Sequence, residues 1–254
     1  MRIDLNSDLG EASTPEQLKC EEALMRLITS ANIACGFHAG DPISIDRTVR
    51  FAKRYGVAVG AHPSYPDRVG FGRTSMKLST EEIELCILYQ LGALATIAHR
   101  QGVKIKHVKP HGALYNDAAK DMRIARAVAR AIANFDPELI LVGLAGSCML
   151  EAGRKEGLRV AAEAFADRAY NADGSLRSRT LKGALIVDPQ KASQQALSIV
   201  LDKRVTSFEG QKLPVEAQTI CIHGDTPNAV VIARAVRKSL NKVGIEVAPL
   251  HTFL

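Results

Sequence analysis

Four of the seven histidines in this 254-residue chain stand where an apolar run breaks into glycine, proline or aspartate. His38 lies in Ala34-Cys35-Gly36-Phe37-His38-Ala39-Gly40-Asp41, His62 in Val59-Gly60-Ala61-His62-Pro63, His111 in Val108-Lys109-Pro110-His111-Gly112, and His223 in Cys221-Ile222-His223-Gly224-Asp225. An apolar run that ends at once in small and polar residues is how a buried strand enters a loop. Imidazole titrates near neutrality, so histidines gathered at such ends suit proton transfer. If the strands are parallel, all four meet at one rim, whereas unrelated structural histidines would scatter.

Other ionisable residues occupy the same kind of junction. Asp8 ends the first apolar run, Lys109 precedes His111, Glu163, Asp167 and Arg168 cluster after Leu158, and Asp225 follows His223. These types fit proton transfer and anion binding. Asp41 has a second reading, as the cap of a helix that begins near Pro42. There is no G-x-x-x-x-G-K-[ST], H-E-x-x-H, G-x-S-x-G or G-x-G-x-x-G, so a self-contained phosphate-loop ATPase is not expected.

The elements that must hold these residues alternate. Strands are expected at Ile3–Leu9, around Ile33–Cys35, and at Val57–Ala61, Lys104–Lys109, Leu139–Leu144, Leu158–Ala164 and Thr219–Ile222. Helices are expected from Thr14 to about Ile28, at Ile43–Tyr55, from Ser79 to about Gln101, and from about Asp117 to Ala133. Further helices are expected at Ser147–Glu156, Pro189–Leu201 and Asn228–Lys242. A polar excursion from Tyr170 to about Lys182, with the turn dipeptide Asp173-Gly174, reads as a hairpin or lid. No linker or charge block divides the chain, so residues 1–254 form one α/β domain with a parallel sheet. Polar residues follow nearly every strand rather than one switch point, which favours a closed, slightly irregular seven-stranded barrel over an open sheet. Asp8, His38, His62, His111, Glu163 and His223 should then share its carboxyl-terminal rim.

Composition narrows the partners. With 46% hydrophobic residues, no apolar run long enough to span a bilayer, and an amino terminus that reads directly as a strand, the chain is expected to be cytoplasmic, without membrane contact. Five cysteines, none in a C-x-x-C pair, indicate neither a disulfide framework nor structural zinc. The net charge of +6 is spread along the chain without a basic stripe, which argues against nucleic acid and for a small anionic ligand or an acidic partner.

Several blocks resemble the LamB/YcsF family. They are Asp4-Leu5-Asn6-Ser7-Asp8-Leu9-Gly10-Glu11, the stretch from Asn32 to Pro42, Gly60 to Asp67, Gly70-Phe71-Gly72-Arg73, Val108 to Tyr115, Glu163 to Arg168 and His223 to Pro227. Together they span nearly the whole chain. The resemblance implies a distorted seven-stranded (β/α) barrel related to glycoside hydrolases and polysaccharide deacetylases. It implies the first component's place in a prokaryotic ATP-dependent 5-oxoprolinase, acting with subunits B and C on 5-oxo-L-proline to give L-glutamate, ADP and phosphate. ATP is then a cofactor of the complex, with phosphorylation dependent on the partners. On this reading Asp8 and one of His62 or His111 act as acid and base, and Lys109 stabilises charge on oxygen. Arg68, Arg73 or Arg168 clamps the substrate carboxylate, and Asn6, His38, Asp41, Glu163, Asp167, His223 and Asp225 complete the substrate site.

Two rival readings follow from the same residues. Asp8 with two strand-end histidines is also a set for a divalent metal, as in a metal-dependent amide or ester hydrolase. Alternatively the rim only binds substrate, for chemistry performed by partners.

Overall fold

The strands close on themselves in the computed structural model, which describes residues 1–254. β1 (Arg2–Leu9), β2 (Ser30–Ala34), β3 (Ala58–His62), β4 (Ile105–Val108), β5 (Ile140–Leu144) and β6 (Arg159–Phe165) pair in sequence order, every pair parallel. The next two strands, β7 (Arg204–Thr206) and β8 (Lys212–Pro214), form a separate antiparallel hairpin. β9 (Thr219–Cys221) then pairs with β6 on one side and β1 on the other, closing a seven-stranded barrel. A two-residue strand, β10 (Glu246–Val247), pairs with the start of β1.

Parallel neighbours need long crossovers, and helices supply them. They are α1 (Pro15–Met25), α2 (Pro42–Tyr55), α3 (Thr80–Arg100), α4 (Gly112–Lys120), α5 (Met122–Phe135), α6 (Cys148–Lys155), α7 (Pro189–Leu201) and α8 (Ala229–Lys242). α1, α2 and α3 begin in reciprocal capping boxes, on Thr14, Asp41 and Ser79, and Gly56 ends α2 with φ +67°. The spacing predicts one helix over Asp117–Ala133, and two are found. Asp121 is extended (φ −104°, ψ 109°) and its side chain accepts from the Arg123 amide, so it ends α4 and caps α5. The β7–β8 hairpin and β10 are too short to show a period in the sequence.

The barrel carries two different packings. Its outer face joins the helices in one apolar layer, into which α3 places Ile83, Ile87, Leu91 and Leu94, each buried. Such a side chain contributes roughly 1.5–3 kcal/mol. Leu141 faces α6, since a side-chain carbon added at Gly153 would lie 2.9 Å from it, so alternation turns Ile140 and Val142 to the interior. There they form a small separate cluster with Ala161 and Leu250. Above it the interior is polar. Asp4, Asn6, Asp8, Ser30, Asn32, His62, His107, Lys109, Glu163 and Thr219 are all buried, where a (β/α) barrel ordinarily stacks branched aliphatics. Buried polar groups are tolerated only when paired, so this interior is a hydrogen-bonded network.

The polar excursion folds against the barrel. Arg168 bridges to Leu185 and Tyr170 to Leu176, antiparallel, around a turn in which the Ser175 amide donates to Asp173. The Phe208 amide donates to the Tyr170 carbonyl, and the Arg177 guanidinium lies 3.7 Å from the centre of the Phe208 ring, which ties the β7–β8 hairpin to the excursion.

Candidate active site

The carboxyl ends of the strands open into a cavity of about 400 Å³ walled by Asp8, Glu11, His62, Arg73, Lys109, His111, Phe165, Arg168, His223 and Asp225, among others. Its floor is the top of the polar interior. Lys109 Nζ lies 2.9 Å from Asp8 Oδ1 and 2.9 Å from Glu163 Oε1, and 3.3 Å from Asn6 Oδ1. Asn32 donates to Asn6 and to Asp8, both at 2.8 Å, and Tyr115 Oη donates to Glu163 at 2.8 Å. Burial alone would raise the Asp8 carboxyl, yet His62 and Lys109 hold it well below the usual carboxylate range. Burial would likewise lower the Lys109 ammonium, and Asp8, Cys221 and Glu163 outweigh it. The floor therefore holds a charged Lys109 and an ionised Asp8.

Three histidines and a second carboxylate stand above. His62 Nε2 is 3.3 Å from Asp8 Oδ2, and its Nδ1 is 2.7 Å from the Lys109 carbonyl. His111 Nδ1 is 3.0 Å from His62 Nε2, and its Nε2 is 2.9 Å from the Phe71 carbonyl. His38 stacks on His111 with ring centres 3.8 Å apart and planes within 4°, and its Nε2 meets Glu11 Oε1 at 2.9 Å. Burial pushes both His38 and His111 well below the ordinary imidazole value, and the neighbouring histidines add to it. Burial raises the Glu11 carboxyl.

Local sequence explains this convergence. Gly10, at φ +78°, turns the chain after β1, and Glu21 of α1 accepts from the Glu11 and Ala12 amides, which fixes the Glu11 carboxylate over the barrel. The loop through Gly72 lies directly on the histidines. A side-chain carbon at Gly72 would come within 2.8 Å of the His111 ring, and one at Gly112 within 2.3 Å of the Gly72 carbonyl. Both glycines have positive φ, so any other residue would be strained as well as crowded.

Glu11, His38, His62 and His111 offer donor atoms that all lie within 4.8 Å of one another, as do Asp8, Cys221 and His223. For the first group, the separations 3.0 Å (His62 to His111) and 3.6 Å (His111 to Glu11) bracket the ~3.4 Å edge of a tetrahedral zinc site. The parallel stack of His38 on His111 leaves only one of those two rings able to point a nitrogen at a common ion.

The sequence model of the LamB/YcsF family matches residues 3–254. The chain belongs to the LamB/YcsF family. A relative from Chloroflexus aggregans, named as the A component of 5-oxoprolinase, is 55% identical over 247 residues, which cover 97% of this chain and 98% of that one. The crystal structure of the lactam utilization protein of Thermus thermophilus superposes with a TM-score of 0.90 at 47% identity, covering 98% of this chain and all of that one. A peptidoglycan deacetylase of Bacillus subtilis, PdaC, shares the fold at a TM-score of 0.50 and 12% identity, covering 99% and 88% of the two chains. The LamB/YcsF chain is thus a closed seven-stranded parallel barrel of deacetylase-like architecture. No helix in it is long and apolar enough to cross a membrane.

Of the residues singled out in the sequence, Asp8, His62, Lys109, His111, Arg73, Arg168, His223 and Asp225 line one cavity. His38 stands behind His111. Asn6 and Glu163 lie beneath the floor, and Asp167 is buried behind His223, accepting from its amide and from the Thr226 hydroxyl. Two residues expected at the substrate are placed elsewhere. Asp41 is exposed and accepts from the Ile43 and Ser44 amides as the cap of α2. Arg68 is exposed and donates to the Gly36 and Gly40 carbonyls, pinning that loop. Lys109, expected to face substrate oxygen, directs its ammonium at Asp8 and Glu163 instead. Glu11, Asn32, His107 and Tyr115 carry no role that the sequence assigns. Glu11 lies inside the Asp8-Leu9-Gly10-Glu11 block, and the mid-strand Gly60 is the one signal of His107, whose ring fills the space beside it.

Proposed function

We propose that this chain is the first component of an ATP-dependent 5-oxoprolinase, opening the lactam of 5-oxo-L-proline to L-glutamate in a cytoplasmic complex with subunits B and C. The observation that carries the reading is the grouping of Asp8, His62 and His111 at the floor of a cavity whose rim is rich in arginine. The relatives' name supports it.

A lactam carbonyl is a poor electrophile because the nitrogen lone pair is delocalised into it. Transfer of the terminal phosphoryl of ATP to the amide oxygen, releasing ADP, removes that protection, and this step is assigned to the partners. Water then adds to the ring carbon, and its proton passes to ionised Asp8, 3.3 Å from His62, while the proton held between His62 and His111 is kept for the leaving nitrogen. The ring C–N bond breaks with its electron pair on nitrogen, which takes that proton, leaving γ-glutamyl phosphate. A second water releases phosphate and the γ-carboxylate. Arg73, 2.7 Å from Asp225 at the mouth, is placed to take the substrate α-carboxylate in exchange.

The test is reconstitution. The chain with B and C should form ADP and glutamate in a manner dependent on 5-oxoproline, and the chain alone should form neither. Glutamate released by the chain alone without ATP would replace this reading with a simple hydrolase.

A further inference from the structure

Arg168 is a buried cation without a counter-ion. It is 6% exposed, one guanidinium nitrogen donates to the Arg177 carbonyl at 2.6 Å, Nε has no partner, and it enters no ion pair. The adjacent carboxylate, Asp167, is occupied by His223 and Thr226. Guanidinium does not escape burial by losing its proton at neutral pH, so an unpaired one is held at a cost that a bound anion would remove. Burial and then the nearby Arg179 draw Arg168 down to about 10, which leaves it charged.

The surroundings repeat the imbalance. Asp225 is shared between Arg73 at 2.7 Å and Arg179 at 3.1 Å, so neither of these arginines has a carboxylate to itself and none is left to pair with Arg168. Ser178 and Thr180, whose hydroxyls lie 2.9 Å apart, line the same wall and add donors. A carboxylate brings one negative charge, whereas a phosphoryl group brings about two and three acceptor oxygens. The cavity, at about 400 Å³, is of a size that takes drug-sized ligands, larger than a five-membered lactam acid alone.

We propose that Arg168 and Arg179, with Ser178 and Thr180, form a phosphoryl-binding site, so that the cavity receives a lactam already phosphorylated on its amide oxygen. This rests on the function proposed above and makes the chain the hydrolytic station of the complex. ATP itself carries the same phosphoryl chemistry and is the competing source.

Three titrations of the purified full chain test this, each against chloride at matched ionic strength. Inorganic phosphate should bind, and Arg168→Gln and Arg179→Gln should each weaken it about tenfold or more. 5-Oxoproline should bind both variants within about threefold of the wild type, and ATP should bind no more tightly than phosphate. If Arg168→Gln does not fold, Arg179→Gln decides alone. Unchanged phosphate binding in the folded variant, or loss of 5-oxoproline binding with phosphate retained, overturns the site, the second result making it a carboxylate clamp. ATP binding ten times tighter than phosphate makes it a nucleotide site and also overturns the proposal. Absence of ATP-coupled turnover in the reconstituted complex, with phosphate binding intact, would sink the parent function and not the anion site.

Discussion

Nδ1 of His111 faces Nε2 of His62 across 3.0 Å, and the other nitrogen of each ring is already committed to a backbone carbonyl, of Phe71 and Lys109 respectively. A carbonyl accepts, so both of those nitrogens carry hydrogens, and two neutral rings would oppose lone pair to lone pair. One positive charge must lie between them. With Asp8 and Glu11 on either side, a single shared proton is stabilised and can be passed to or from a reacting group. His111→Asn keeps a polar side chain and removes titration, and should lower turnover of the reconstituted complex about 100-fold or more with little change in thermal midpoint. Turnover within a factor of three of wild type would remove His111 from the proton path.

The alternative occupant of that gap is a divalent ion held by Glu11, His62 and His111. His38, stacked on His111 and unable to share that ion, opposes it by holding Glu11, whose Oε1 already meets His38 Nε2 at 2.9 Å. After chelator treatment and dialysis the purified protein should therefore keep its thermal midpoint and should support undiminished turnover when reconstituted with B and C. A stoichiometric metal that leaves together with activity, and restores it on return, would put the ion in the proton's place and favour the metal-dependent hydrolase.

Lys109 tests the floor beneath the histidines. It is 2% exposed between Asp8 and Glu163, so Lys109→Met leaves two buried carboxylates facing one another. Loss of one partner of a buried ion pair costs about 3–5 kcal/mol, and denaturant titration should show a loss of that order. Adding Glu163→Gln should recover part of it by removing one of the stranded charges. If the double variant is no more stable than Lys109→Met, the two carboxylates are not what destabilises the single one.

The rim is legible because strand ends announce themselves: an apolar run that stops at glycine, proline and histidine reads the same four times, and parallel strands bring the four together. The interior is not. Asn32 stands between Ala31 and Ile33, His107 before Val108 and Thr219 before Ile220, and nothing in one strand shows that the inward positions of the others are polar too. Asp41 and Arg68 mislead for a related reason. A polar residue one turn from a strand end can face the cavity or the outer surface, and Asp41 is drawn outward by the free amides of α2. The break at Asp121 is hidden because residues on both sides favour helix, and one side-chain hydrogen bond decides it.

The same interior sets the response to acid. Burial draws His107 down to about 3, and its Nε2 sits 2.8 Å from Asn32 Oδ1. Burial likewise holds His38 and His111 well below their ordinary value. The unfolded chain takes up these protons near pH ~6.5 and the native chain does not, so stability falls as pH drops below that value. For His107 alone the loss between about pH 6.5 and 3 is of the order of 5 kcal/mol. Asp4 works the other way: burial raises it to about 6, so the native chain accepts that proton earlier than the unfolded one, and acidification from about pH 6 to 4 stabilises by about 3 kcal/mol. Burial raises the Glu11 and Glu21 carboxyls too, so three carboxyls offset part of the loss, but His107's roughly 5 kcal/mol exceeds Asp4's roughly 3 and His38 and His111 add to it, so the thermal midpoint should fall below about pH 6.5. His107→Gln keeps a donor towards Asn32 and cannot charge, so it should flatten that slope, while Asp4→Asn should steepen it. A midpoint that holds level from about pH 7 to 5, or a slope that His107→Gln leaves unchanged, would mean that the buried imidazoles do not govern acid stability.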